Sequence, residues 1–222
     1  MMRKYMSRLV ALFLVLSMVV LFVPVQAQAA DITRPAGYTD EEWEEYLRML
    51  RLQAEQAELA AKALVGHYVA TTIVDTILCL DGTAVLGTCI AEELTKSGFR
   101  TINQHQTIYV VEPEYNANSQ IIFRDNIQPM IRGKHVLVLM ASVTTGFTAN
   151  RSIEAIKYYG GIVAGVAAIY RHVDSVGGYP VRSLYSTDDL PDYQSYDYHD
   201  CPYCKAGQKV DALVNSFGIS AL

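Results

Sequence analysis

The sequence predicts a single α/β domain: a parallel sheet with an N-terminal helix before it and a small irregular cap after it. Three observations predict this. From Thr76 onward, short apolar runs alternate with segments of helical spacing, the pattern of strands buried on both faces with helices between them. Apolar residues are 51% of the 222, enough to bury a core and too many for a disordered chain. Four cysteines in that length exclude a disulfide-stapled miniprotein. The 18 cations and 23 acids, a formal net of −5, leave no basic stripe and argue against a nucleic-acid-coating role.

Residues 1–29 read as a targeting segment. Arg3, Lys4 and Arg8 give it a positive start. Leu9 to Val23 is apolar except for Ser17, and Pro24 breaks the run. Ala27 and Ala29 are the small residues a signal peptidase reads. Fifteen residues make a helix of roughly 22 Å, short of the ~30 Å hydrocarbon core. A cleaved secretory signal is therefore expected, giving a secreted or extracytoplasmic protein. An uncleaved N-terminal membrane anchor is the alternative, and either way the membrane is met only through this segment. Without residues 1–29 the chain carries 15 cations and 23 acids, a net of −8.

The rest divides into an N-terminal helical segment at 30–66, an α/β core at 67–175 and a C-terminal cap at 176–222. Thr39 followed three residues later by Glu42 is a capping box, and acids at 40–42, 44 and 45 suit a helix start. Trp43, Tyr46, Leu47, Leu50 and Leu52 then follow at mostly helical spacing, and alanine-rich sequence continues the helix to about Leu64. Strands are expected at Thr76–Leu80, Thr107–Glu112, His135–Met140 and Ile162–Tyr170, with a short added one at Gln120–Arg124. Helices are expected at Ala84–Ser97 and Ala149–Tyr159, and Pro113–Ser119 reads as a loop. In the cap, Val181–Tyr185 reads as a strand and Asp211–Phe217 as a last short helix.

The strongest chemical signal follows the His135–Met140 strand. Ala141-Ser142-Val143-Thr144-Thr145-Gly146-Phe147-Thr148 is a turn of small hydroxyl residues before a helix start. Hydroxyls and unpaired backbone N–H groups at such a point can hold an anion, usually phosphate. Threonine and serine also cap helices with no ligand at all. These residues resemble the phosphoribosyl pyrophosphate loop of the type I phosphoribosyltransferases, in which a hydrophobic strand leads to two acids, two threonines, a glycine and a further threonine. Leu80-Asp81-Gly82-Thr83 falls where that family places its pyrophosphate loop. Cys201-Pro202-Tyr203-Cys204-Lys205-Ala206-Gly207 is similar to a C-terminal segment of several orotate phosphoribosyltransferases. The likeness spans roughly residues 67–210.

The resemblance implies a phosphoribosyltransferase-like fold and a glycosyltransferase reaction of nucleotide metabolism. Ribose 5-phosphate would move from phosphoribosyl pyrophosphate to a base such as orotate, with Mg²⁺. It implies phosphate binding by Ser142, Thr144, Thr145, Gly146 and Thr148, a pyrophosphate loop of Asp81, Gly82 and Thr83, and pairing as a homodimer. The donor is cytosolic by the same implication, which sits badly with export. The family's two acids, which hold the ribose hydroxyls, fall on Met140 and Ala141. A thioether and a methyl group cannot replace them, and each lost charge-assisted contact costs about 1.5–3 kcal/mol. The lysine-rich loop of the orotate enzymes has no counterpart; Arg124, Arg132 and Lys134 are the cations between the second and third strands.

Two functions therefore stand side by side. One is transferase chemistry of the orotate type. The other is a non-catalytic exported module on the same fold, binding a phosphorylated small molecule or a partner and needing no cofactor. Cys-Pro-Tyr-Cys also resembles a glutaredoxin motif, but a long helix should follow it and only eighteen residues remain. His199, Cys201 and Cys204 offer three ligands where structural zinc takes four, and a local disulfide or two free thiols are equally open. Cys79 and Cys89 read as buried small hydrophobes. Tyr193, Tyr196, Tyr198 and Tyr203 read as apolar cover or as the lining of a cleft for an aromatic ring.

Overall fold

The structure is a computed structural model describing residues 37, 39–96, 102–104, 106–196, 199–215 and 218–222. The expected signal segment lies outside these residues. Among the described residues no helix is long and apolar enough to cross a membrane.

Helix α1 runs Asp40–Val65. Its capping box forms as the sequence predicts: Glu42 N donates to Thr39 Oγ1 at 3.3 Å and Thr39 N donates to Glu42 Oε2 at 2.9 Å. Core burial starts only at Ala57 and continues through Ala61, Leu64 and Val65 to Tyr68. Ahead of that, Trp43 stacks on Tyr46 at 5.4 Å and Leu52 is exposed. Among the described side chains of this first half, none joins the two core clusters.

Strand β1 (Thr76–Cys79) is fully buried and leads to α2 (Ala84–Thr95). Strand β2 is only Tyr109–Val111, shorter than the expected Thr107–Glu112, because it is the sheet's edge and pairs with β1 alone. The expected loop at 113–119 is half a hairpin. Strand β3 (Glu114–Tyr115) pairs antiparallel with β4 (Ile121–Ile122). Asn116 Oδ1 accepts from the amides of Asn118 and Gln120, both at 2.9 Å, a side-chain turn that fixes the bend.

Strand β5 (His135–Val143) passes the expected end at Met140 by three residues. The reason is β6 (Ile162–Arg171), which keeps pairing through Ser142–Tyr170 and Val143–Arg171. Helix α3 is Phe147–Tyr158. Strands β7 (Ser175–Val176) and β8 (Tyr179–Tyr185) form a hairpin closed by Gly177-Gly178, both with positive φ, as a two-residue turn of this kind demands. Helix α4 is the single turn Pro202–Lys205. The last element read as a helix is instead an antiparallel hairpin, β9 (Ala212–Asn215) with β10 (Gly218–Ala221). Seven residues are too few for a stable helix without packing, and the hairpin satisfies its backbone locally.

The central sheet has the order β2-β1-β5-β6-β8-β7. Every pair is parallel except β7 with β8. Helices flank both faces. Ile77, Cys79, Leu137 and Leu139 pack with α1 and α2. Leu78, Val136, Val138 and Met140 pack with Ala149, Ile153 and Ile156 of α3 on the other face. This is the mostly parallel α/β architecture the alternating pattern predicts. Strand β8 carries the sheet beyond residue 175 into the C-terminal segment.

Candidate functional site

Strands β1 and β5 are neighbours, yet the helices that follow them lie on opposite faces of the sheet. Such a divergence opens a crevice at the carboxyl ends of the strands, the usual ligand position in an open α/β sheet. Both loops singled out in the sequence lie here.

The loop after β1 is tight. Asp81 and Gly82 have consecutive positive φ values of 54° and 74°. Thr83 is buried, and its hydroxyl donates to the carbonyls of Leu80 at 2.8 Å and Leu139 at 3.2 Å. That hydroxyl therefore ties the loop to β5. Thr83 is the N-cap of α2, and its hydroxyl makes no capping bond to the helix. Asp81 is exposed at the surface, yet the protein atoms packed around its carboxyl displace water and push it above the usual carboxylate range. Tyr115 of the β3–β4 hairpin lies near enough that, after burial, the Asp81 charge further raises its phenol.

The loop after β5 makes the sharper arrangement. Met140 is buried among α3 side chains, and Ala141 packs towards the opposite cluster. Ser142 belongs to the strand, opposite Tyr170, so it stands outside the turn expected to contain it. Thr144, Thr145 and Gly146 form the bend. Gly146 is the N-cap of α3 with φ 77°, and a Cβ there would stand 2.8 Å from Val176 Cγ2. Thr145 Oγ1 accepts from Phe147 N at 3.5 Å. The first ladder bond of α3 is Asn150 N to Gly146 O, 2.9 Å. The amides of Phe147, Thr148 and Ala149 precede it and have no partner inside the helix. Three hydroxyl residues and a left-handed glycine thus gather around one helix start, with the positive end of its dipole.

The expected cations are placed elsewhere. Arg124 is locked in a two-pronged pair with Glu114, at 2.7–3.0 Å. Arg132 donates to Gln128, and Lys134 precedes the first residue of β5, so both sit at the amino end of that strand, opposite to the two loops. One cation beside this turn is Arg151, which the sequence reading did not weigh as one. Its guanidinium lies 4.5 Å from the Phe147 ring centroid and donates to the Ser119 carbonyl at 3.1 Å. The four-residue spacing of Phe147 and Arg151 on one helix was the available signal. The β3–β4 hairpin thus reaches the β1 loop through Tyr115 and α3 through Ser119.

Beside β5, Tyr170 at the end of β6 meets Tyr193 at 5.1 Å, and His172 meets the same ring at 6.0 Å. Tyr196 and Tyr203 pack edge to face at 5.7 Å. Tyr198 lies outside the described residues. Among the described residues no group of three histidine, cysteine or acidic side chains converges as a metal set, so His199, Cys201 and Cys204 are not brought together as one. For Mg²⁺, which prefers carboxylate and phosphate oxygens, the β5 loop offers a thioether and a methyl group. Asp81 is the one carboxylate in the two loops, so they offer an ion a single carboxylate and leave its other positions to water and phosphate oxygens.

No family model matches the chain. It is 36% identical to an orotate phosphoribosyltransferase of Thermotoga maritima over 111 residues, 45% of this chain and 56% of that protein. It is 34% identical to an orotate phosphoribosyltransferase of Caldicellulosiruptor bescii over 80 residues, 34% of this chain and 38% of that one. The chain thus spans about half the length, or less, of these curated relatives. Among solved structures, the Mycobacterium tuberculosis orotate phosphoribosyltransferase in complex with Fe(III) dicitrate is 21% identical, with 60% of this chain and 74% of that one covered and a TM-score of 0.42.

Proposed function

We infer, taking the chain as orotate phosphoribosyltransferase-like, that it binds a phosphorylated ribose through the turn after β5 and has lost most or all transferase turnover. One observation carries this reading. The phosphate half of the loop keeps its hydroxyls and its left-handed glycine, while the two positions before it turn apolar side chains into the two cores. Thr144, Thr145 and Thr148 can donate to phosphate oxygens, as can the first amides of α3. Arg151 adds a cation one turn further on. Met140 and Ala141 offer the ribose hydroxyls nothing equivalent.

Transferase chemistry of this class depends on holding the sugar while positive charge develops at its ring. A ligand gripped at one end only is poorly positioned for that. The reading therefore favours a binding module over an efficient enzyme, in line with the expected export away from a cytosolic donor.

The test is calorimetric titration of the full chain with ribose 5-phosphate and, separately, with ribose. Binding of the phosphorylated sugar alone is expected. Thr144→Val with Thr145→Val should weaken it at least tenfold, since each lost hydrogen bond to a charged group is worth about 1.5–3 kcal/mol. Equal binding of both sugars, or an unchanged affinity in the double variant, would overturn the assignment.

A further inference from the structure

The paired cysteines of the C-terminal segment are not used by the reading above, and they carry an inference independent of it. Cys201 stands in an extended conformation at the start of α4, with Pro202 and Tyr203 between it and Cys204. Lys205 N donates to the Cys201 carbonyl at 3.1 Å, closing one turn over the pair. Cys204 N donates to Cys201 Sγ at 3.3 Å. Side chains three residues apart across a single turn are neighbours, within the short span a disulfide bridges. Cys201 is half-buried and Cys204 exposed, whereas Cys79 and Cys89 are buried.

The pair is tied to a larger aromatic patch. Tyr203, between the two cysteines, packs on Tyr196, and both hydroxyls donate to Gln194 Oε1, at 3.3 and 2.5 Å. The next residue back, Tyr193, rests on Tyr170 and His172. His172 N in turn donates to Val143 O at 2.8 Å, on the strand that leads into the hydroxyl turn.

We propose that Cys201 and Cys204 are a reversible dithiol–disulfide couple whose closure stiffens residues 193–196 and 199–204 against the end of β6. The oxidant is a small-molecule disulfide such as oxidised glutathione. The Cys201 thiolate attacks one of its sulfurs, the glutathione S–S bond breaks, and one glutathione thiolate leaves. Cys204 then gives up its proton and attacks the Cys201 sulfur of the mixed disulfide, expelling the second glutathione thiolate. Two protein thiols are oxidised to one disulfide, one glutathione disulfide is reduced to two thiols, and the two protons end on the departing thiolates. The surroundings support this division of roles. Hydrogen bonds from the Cys204 side chain and amide, with Lys205 nearby, hold the Cys201 thiol below its ordinary value. The same contact raises Cys204. Cys201 is the less exposed of the two but only half-buried, and the thiol held lower carries more thiolate to attack.

The full chain is equilibrated in glutathione buffers of graded ratio, quenched by alkylation and analysed by peptide mass spectrometry. A two-hydrogen loss confined to the peptide holding both cysteines is expected, fully reversed by dithiothreitol. Cys204→Ser should trap a glutathione adduct on Cys201 at least tenfold faster than Cys201→Ser traps one on Cys204. Hydrogen exchange across 193–204 should slow at least twofold in the oxidised protein. No disulfide at any ratio would overturn the couple, as would one zinc ion bound per two chains through these thiols. Disulfide formation with unchanged exchange would overturn the stiffening.

Discussion

Replacing Gly146 by alanine would set a Cβ 2.8 Å from Val176 Cγ2 and hold it at a φ of 77°. Left-handed strain costs about 1–3 kcal/mol and overpacking a similar amount, so Gly146→Ala should lower stability by about 2–4 kcal/mol in urea unfolding. A loss below 0.5 kcal/mol would show that the turn relaxes freely. Asp75 poses a different test. Its carboxylate joins β1 to β5 by accepting from His135 N at 2.8 Å and facing His135 Nδ1 at 2.9 Å. Burial opposes its ionisation, but these hydrogen bonds and the nearby His135 and Lys134 charges outweigh it and hold the carboxyl below its usual range. A carboxyl lowered by folding stabilises above its unfolded pKa of about 3.9 and loses that contribution as pH falls through the folded value. Asp75→Asn should therefore cost about 1–2 kcal/mol at neutral pH, with the difference closing below pH ~4. Parallel pH profiles would contradict it. The hydroxyl turn was legible in the sequence because its residues are local. The inward turn of Thr83 was not, since it depends on Leu139 of β5, far away in the chain.

Helix α2 lies close to the sheet because it presents Gly87 to β1. A Cβ on Gly87 would collide with Cys79 Sγ and approach Val110 Cγ1 at 3.4 Å. Burial pushes the Cys79 thiol up to about 12, so this sulfur acts as a small hydrophobe, as its apolar context predicts. Gly87→Ala should destabilise the protein by about 1–3 kcal/mol through overpacking, despite alanine's better helix propensity. A more stable variant would mean that α2 is free to move outward. Elements with strong local signals matched their expectation: the capped α1 and the buried β6. The errors fall where partners decide. Strand β5 gained three residues from β6, the 113–119 loop gained pairing from β4, and the last seven-residue helix gave way to a hairpin.

Across the whole chain, the alternation of apolar runs and helical segments sufficed to predict a parallel sheet covered on both faces, because those runs are buried on both sides and leave little alternative. Strand order was not legible: it depends on which strand each crossover returns to. The expected export makes its own prediction. Mass spectrometry of the protein recovered outside the cytoplasm should find Ala30 at its N-terminus, and an intact Met1 there would favour the anchored alternative. The central claim is that the crevice between β1 and β5 holds a phosphorylated ribose without the carboxylates needed to react it. Its most direct test combines phosphoribosyl pyrophosphate, orotate and Mg²⁺ with the full chain, following binding by calorimetry and orotate consumption by ultraviolet absorbance. The account predicts saturable binding of phosphoribosyl pyrophosphate with turnover at least a thousandfold below about 10 s⁻¹, an ordinary enzymatic rate. Turnover at that ordinary rate would contradict it.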